Sequence, residues 1–392
     1  MDNPLVVIPA IKKIASIPDQ LIKKLNGRSL IQRSIDTAIE FTNNANEILI
    51  ITDSDEIALV AQRNKISFNK DKDLFLDSEN IFNEVLSRTK NFSHNEIIVY
   101  MANTPLITSN DLKAAYEKFL ETNNSMIVSV KKKDRKIFSY NKGYLNEHKI
   151  EKICEEIGAF YIFNKHTIID GKYQKVPFFL KKNKSIEILN YQNWWICEKL
   201  LKRKRIVFHI FGSFEIGTGH IFHSLALAHE ITDHEILFVC NEIYSDTVKK
   251  IISIDYKVIE TKNIERTIID LKPDMVINHV LDTKKEFIRE LKKIGSIVVN
   301  FEDLGSGSKY ADLVFNDLYE IPLLEGSHYF WGNKYLTLRD EFETAKPNKF
   351  LNNVNEVLII FGGSDQNNLT LTSLKAISDI CKLQDIFINI VC

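Results

Sequence analysis

The 392-residue chain has five cysteines (Cys154, Cys197, Cys240, Cys381 and Cys392), and no two of them form a CxxC pair. An odd count without metal-ligand spacing argues against a disulfide scaffold or a thiolate zinc site, and for free thiols in a reducing compartment. An excess of one charge is missing too: 51 Lys and Arg against 52 Asp and Glu leave a formal net charge of -1 and a pI near 6.8. That balance removes any global electrostatic reason to expect nucleic acid or an anionic membrane as partner. Long apolar runs are also lacking, since the longest are strand-length and far short of the ~20 residues a membrane helix needs. The opening residues, Met1-Asp2-Asn3-Pro4, carry no basic segment followed by an apolar stretch, so no signal peptide is expected. The expectation is a soluble cytoplasmic protein with no membrane and no nucleic-acid partner.

What is present is a globular composition, 44% hydrophobic and 26% charged, in a chain long enough for two or three domains. Continuous apolar runs at Leu5–Ile8, Ile48–Thr52, Ile97–Tyr100, Met126–Val130 and Phe160–Phe163 read as strands buried on both faces. Leu30–Glu40, Asp55–Gln62 and Asn110–Leu120 read as the helices between them, the last two entered through capping residues. Alternation of this kind makes a mostly parallel sheet. A helix around Trp194–Leu201 then runs into the basic cluster Lys202-Arg203-Lys204-Arg205. That cluster is either a phosphate or nucleic-acid patch or, the preferred reading, a solvated joint between domains.

From Ile206–Phe211 the pattern restarts, with strands near Ile236–Val239, Met275–Ile277, Ile297–Asn300 and Leu313–Phe315. A polar stretch around Thr344–Asn355 reads as a linker. A third restart has strand Val357–Phe361, the turn Gly362-Gly363-Ser364-Asp365, a helix from about Leu369 and strand Ile386–Val391. One βαβ unit cannot cover both of its faces, so this last piece is expected to be the start of a domain.

Val6-Val7-Ile8-Pro9-Ala10, followed by Leu25-Asn26-Gly27-Arg28-Ser29-Leu30-Ile31, resembles the opening of the sugar-acid cytidylyltransferases, which include CMP-sialic acid synthetases and their CMP-Kdo relatives. The resemblance continues through Thr52-Asp53-Ser54-Asp55-Glu56-Ile57, Asn103-Thr104-Pro105-Leu106, Gly158-Ala159-Phe160-Tyr161-Ile162 and Ser185-Ile186-Glu187-Ile188, and covers roughly residues 4–203. It implies attack of a sugar oxygen on the α-phosphate of CTP, with cations around the triphosphate and carboxylates on Mg²⁺. Several positions depart from the family: Ile11 stands for its arginine, Ile14 for a serine and Gln20 for a lysine. Met101 and Asn103 occupy the sheet centre, and the paired acidic positions become Glu187 and Leu189, with Asn193 next. Lys12 and Lys13 are the substitutes for the missing cations, Asn103 and Thr104 the candidate substrate contacts, and Glu187 the remaining candidate metal ligand. Read locally, Asp53 caps the following helix, and Gly27 and Pro105 set turns.

In the second series, Gly212-Ser213-Phe214-Glu215-Ile216-Gly217-Thr218-Gly219-His220 lies between a strand and a helix. Backbone N–H groups and a helix N-terminus there suit a phosphate or a developing anion, although such turns also exist purely for packing. His220 falls in the first helical turn, where the dipole disfavours the imidazolium, so it is a candidate base; alternatively it is a satisfied histidine lining the sheet edge. His223, His229, His234 and His279 have no spacing that suggests a metal.

Gly217-Thr218-Gly219-His220, Asn278-His279, Phe301-Glu302-Asp303-Leu304, Tyr310-Ala311-Asp312-Leu313, Gly332-Asn333-Lys334-Tyr335, Leu338-Arg339-Asp340-Glu341-Phe342 and Phe361-Gly362-Gly363-Ser364-Asp365 resemble the UDP-sugar hydrolases of pseudaminic-acid biosynthesis. The resemblance spans about 206–392. It implies that His220 activates water to release UDP from a sugar, with Gly217, Thr218, Gly219, Asn278, Glu302 and Asp303 at the substrate. Two departures are His223 at a usually basic position and Asn278 at an aspartate position.

The expected architecture is therefore α/β: a nucleotide-diphospho-sugar-transferase-like, Rossmann-like parallel-sheet domain over 1–203, a glycosyltransferase-B-like Rossmann half over 204–350, and the start of a second half over 351–392. The expected function is a nucleotide-sugar enzyme of nonulosonic acid biosynthesis, using CTP or a UDP-sugar and a sugar acid, with Mg²⁺ and a homodimer implied by the resemblance. The alternative is a catalytically degenerate binding or scaffold protein built from the same two folds.

Overall fold

The computed structural model describes the chain apart from residues 1–2, 14, 78–79, 123–124, 134–136, 142–143, 149–152, 172, 213–216, 339–341, 343, 348, 350–352, 362–364, 366 and 392, and describes only the backbone of 137–141 and 144–148. Ile14, the loop before Gly217, the middle of the Leu338–Phe342 motif and the Gly362-Gly363-Ser364 turn lie outside the described residues. The chain divides into two compact units, Met1–Lys202 and Arg203–Cys392.

The first unit is built on a seven-stranded sheet. In spatial order its strands are Gln174–Phe179, Ser125–Lys133, Ile153–Asn164, Glu96–Tyr100, Leu5–Ala10, Ile48–Thr52 and Ser67–Lys70. All pairs are parallel except those of Ile153–Asn164, which runs antiparallel to both neighbours. The continuous apolar runs are explained by two-sided burial. In Leu5–Ala10 all six residues are buried: Val6, Ile8 and Ala10 pack on one face, under Ile31, Ile35 and Ala38 of the Leu30–Thr42 helix, while Leu5 and Val7 pack on the other, against Ile81 and Val85. The Leu30–Thr42 helix starts where the Ser29 side chain accepts from the Gln32 N–H and stops at Asn43 in the left-handed conformation, the two local signals expected at helix ends. The edge strand Ser67–Lys70 escapes sequence detection because all four of its residues are exposed.

Two irregularities of this sheet position the site. Leu5–Ala10 pairs with Glu96–Tyr100 only through Val7, while it stays paired with Ile48–Thr52 to Ala10. Pro9 has no N–H to offer a neighbour, and it lies where the pairing has ended. These two strands also flank the point where strand order reverses, so the opening lies in the crevice where open α/β sheets receive ligands. The second irregularity is a bulge between Glu156 and Tyr161, with Gly158 at φ 63, a conformation that glycine adopts without strain.

The second unit holds a wholly parallel seven-stranded sheet, ordered Lys257–Thr261, Glu235–Asn241, Arg205–Ile210, Met275–His279, Ile297–Phe301, Leu313–Asn316 and Tyr329–Trp331. Buried apolar clusters cover both faces. The basic run at the start of this unit is consumed by pairing: Lys204 meets Asp274 (3.1 Å), Arg205 meets Glu235 (2.9 Å) and Arg203 donates to the His234 carbonyl (3.1 Å). The joint reading accounts for it. Glu356–Ile360 and Phe387–Val391 form a separate two-stranded parallel sheet with the Leu369–Leu383 helix. Among the described residues no helix is long and apolar enough to cross a membrane.

Candidate functional site

The divergence beyond Val7 opens a cavity of about 280 Å³ lined by Pro9, Ile11, Gln20, Met101, Asn103, Gly158, Tyr161 and Glu187, among others. Asn103 sits just past the Glu96–Tyr100 strand and donates from Nδ2 to Glu187 Oε1 (2.9 Å), while its own Oδ1 is buried without a partner. Burial pushes the Glu187 carboxyl above its ordinary value, against the Asn103 hydrogen bond. The Tyr161 hydroxyl donates to Glu156, and burial raises its pKa. This arrangement offers a half-buried acceptor and a free amide oxygen, fitted to hydroxyl or amino groups of a ligand.

Several residues singled out in the sequence have protein partners here. Lys12 and Lys13 do not line the cavity. The Lys12 ammonium is held by Asp19 (2.8 Å) and Glu56 (2.5 Å), which raise its pKa, and Lys13 Nζ donates to the Lys72 carbonyl. Lys12, beside the first strand, is thus held by carboxylates that the fold brings near. Asp53 does not cap the next helix: its two oxygens accept the backbone N–H groups of Lys12 (2.7 Å) and Lys13 (3.0 Å), and Ser54 is the N-cap. Thr104, 1% exposed, is a turn residue whose hydroxyl donates to the Met101 carbonyl (2.8 Å). Gln20 is likewise structural, donating to the Ile188 carbonyl (2.9 Å).

At the carboxyl ends of the second sheet, other side chains converge. His220, in the first turn of the Gly219–Glu230 helix, places Nδ1 2.8 Å from Nδ1 of His279 and Nε2 3.9 Å from Glu302. Burial first, and then the neighbouring His223, lower the His220 pKa to about 4. The imidazole is thus neutral near pH 7, with burial as the first cause. Burial and the charge of Asp317 raise the Glu302 carboxyl to about 7. Contrary to the spacing argument, His223 does join acidic partners: donor atoms of His223, Glu302 and Asp317 lie within 4.8 Å of one another.

Asn278 and Asp303, expected at the substrate, are both fully buried in a structural network. Asn278 accepts at Oδ1 from the His209 ring (3.0 Å) and donates from Nδ2 to Asn300 (2.8 Å), and Asp303 accepts from the Asn300 side chain, from both the backbone N–H and the hydroxyl of Thr283, and from the Gly305 N–H. Every lone pair that Asp303 could turn to a ligand is already used. Gly217, at φ 110, and Thr218, the N-cap, lead into the helix.

A sequence model described as Cytidylyltransferase matches residues 5–216, just over half of the chain. The chain belongs to this cytidylyltransferase family. A pseudaminic acid cytidylyltransferase of Campylobacter jejuni subsp. jejuni is 29% identical over 225 residues, covering 50% of this chain and 96% of that protein. An uncharacterized protein of Methanocaldococcus jannaschii is 33% identical over 199 residues, which are 46% of this chain and 40% of that protein. This chain thus spans well under two thirds of the archaeal relative's length. Among solved structures, CMP:2-keto-3-deoxy-manno-octonic acid synthetase complexed with CTP aligns at TM-score 0.40 and 10% identity, covering 50% of this chain and 98% of that one. A 4-diphosphocytidyl-2C-methyl-D-erythritol synthase from Anaerococcus prevotii aligns at TM-score 0.40 and 12% identity, covering 51% and 99%.

Two carboxylates, Asp77 and Glu187, line the cavity. Among the described residues no cluster of three His, Cys, Asp or Glu surrounds Glu187, and its carboxylate is engaged by Asn103. Mg²⁺ is usually held by one or two carboxylates together with substrate phosphates and waters, so Asp77 and Glu187 are the residues that would hold it here. The residues that sequence reasoning missed are His279 and Asp317. A signal was there: one parallel strand ends in Ile-Asn-His279 and two others run directly into Glu302 and Asp317, apolar runs turning polar at the carboxyl ends of the strands, where ligands bind.

Proposed function

We propose that the first unit transfers CMP from CTP to a sugar acid, with the nucleotide in the cavity beyond Val7. In that reaction a sugar hydroxyl oxygen bonds to the α-phosphorus, the bond to the β-phosphate oxygen breaks, pyrophosphate leaves and the hydroxyl proton passes to solvent. The observation that carries the reading is the crevice at the strand-order reversal, with Asn103 Oδ1 unpartnered inside it, in a chain of this family. The activity of the pseudaminic acid cytidylyltransferase it resembles supports a sugar acid as acceptor. A second reading, binding without transfer, is favoured by one observation: among the described residues no lysine or arginine lines the cavity, so the triphosphate charge finds no side-chain counter-ion among them there. Calorimetric titration with CTP, with and without Mg²⁺, and a pyrophosphate-release assay with a panel of nonulosonic acids separate the two. Release of pyrophosphate upholds transfer, CTP binding without release upholds the second reading, and no CTP binding removes both. Asn103→Ala should weaken CTP at least about tenfold, the loss of one good hydrogen bond to a buried group.

For the second unit we propose hydrolysis of a UDP-sugar, with His220 taking a proton from water. Its support is geometric: Nδ1 is held by His279, which leaves Nε2 as the nitrogen free to face a ligand. UDP release by the full chain that disappears in His220→Ala is the expected result, and UDP release unchanged in that variant would remove the reading.

A further inference from the structure

The cluster at the edge of the second sheet is assembled from three elements that the fold, not the chain order, brings together. His223 projects from the Gly219–Glu230 helix, Glu302 follows the Ile297–Phe301 strand and Asp317 follows Leu313–Asn316. One donor atom from each lies within 4.8 Å of the other two. Asp317 is 5% exposed, and its Oδ1 has no hydrogen-bond partner. Glu302 adopts φ 54, an uncommon backbone conformation for a residue with a side chain. Among the described residues no lysine or arginine pairs with either carboxylate; besides His223 itself, His220 approaches Glu302, at 3.9 Å. A buried carboxylate beside a half-buried one, with no fixed cation, is unfavourable unless a proton or a cation stands between them.

We propose that His223, Glu302 and Asp317 form a binding site for one divalent transition-metal ion of the Zn²⁺ or Mn²⁺ class. One imidazole nitrogen with two carboxylates is a donor set these ions accept, whereas Mg²⁺ and Ca²⁺ prefer oxygen alone. With bonds of roughly 2.0–2.2 Å, neighbouring donors around a tetrahedral ion stand about 3.4 Å apart. With donors no more than 4.8 Å apart, the side chains need to close by at most about 1.4 Å around the ion. Three protein ligands leave room for water or a substrate oxygen, the arrangement of a catalytic rather than a purely structural ion. The site is independent of the transferase reading of the first unit and of His220 as a base.

The test is titration of the full chain, stripped by chelator, with Zn²⁺ by calorimetry and with Mn²⁺ by electron paramagnetic resonance. The expected result is one ion per chain, with a thermal midpoint that rises on ion addition because the ion binds the folded state alone. Asp317→Asn and His223→Ala should each weaken binding at least about tenfold and abolish the thermal shift. Asp317→Asn also relieves the carboxylate pair, so without ion it should melt no lower than the parent, which separates loss of the site from loss of the fold. No ion uptake by the parent overturns the proposal and leaves a shared proton as the link between Glu302 and Asp317. Uptake that survives both variants overturns it as well, by placing the ion elsewhere.

Discussion

Asp53 and Asp303 are both acidic residues beside a candidate site, and both spend their oxygens on the chain itself. Asp53 ties down the loop after the first strand through the N–H groups of Lys12 and Lys13. Asp53→Ala leaves two partly buried donors without an acceptor and should lower stability by about 1–3 kcal/mol in urea unfolding, while Asp53→Asn, which keeps one acceptor, should lose less. For Asp303→Asn the expected loss is larger, about 3 kcal/mol or more, since an amide group would then face the donors of Thr283, Asn300 and Gly305 in a fully buried network. A small loss of stability with a large loss of ligand affinity would contradict that assignment. Thiol reactivity offers a check on burial: Cys197 and Cys240 are buried, which pushes their thiols to about 12 and about 11, whereas Cys154 is exposed. Cys154→Ser should remove a fast-reacting thiol, and Cys197 should react only on unfolding.

Among the elements, the Ser109–Leu120 helix shows how a local signal is completed by a distant partner. Asp111 in its first turn accepts from the Thr108 N–H (2.9 Å) and hydroxyl (2.6 Å), and from Lys184, 73 residues away. Burial works to raise its pKa, but the hydrogen bonds from Lys184 and Thr108 outweigh it and hold the carboxyl below its ordinary value. A folded-state pKa depressed in this way contributes stability above the unfolded value near 3.8, and that contribution is lost as the pH falls through the folded value. The stability gap between the parent and Asp111→Asn should therefore be full at pH 7 and shrink progressively below pH 4, measured by urea midpoints. A gap that is constant with pH would mean the carboxylate charge contributes nothing.

For the whole molecule, each unit has a sheet with its own buried clusters on both faces. A fragment ending at Lys202 should fold cooperatively by itself and bind CTP as the full chain does, which circular dichroism melting and calorimetry would show. Failure of that fragment to fold would mean that the first core depends on the second unit. The strands that the amino-acid order revealed are those with both faces buried, such as Leu5–Ala10, Ile48–Thr52 and Met275–His279, because two-sided burial demands an uninterrupted apolar run. Edge strands such as Ser67–Lys70 carry no such demand and stayed invisible, and so did the antiparallel course of Ile153–Asn164, since an apolar run has no direction. Family membership and the polar strand ends were likewise legible in the order of residues. Only the tertiary structure decided that Lys12 is neutralised by Asp19 and Glu56, that Asp303 is locked inside, and that His223 meets Glu302 and Asp317. The reason is physical: a side chain's charge, partners and access to a ligand depend on groups tens of residues away, which only the packing of strands and helices brings within a few ångströms.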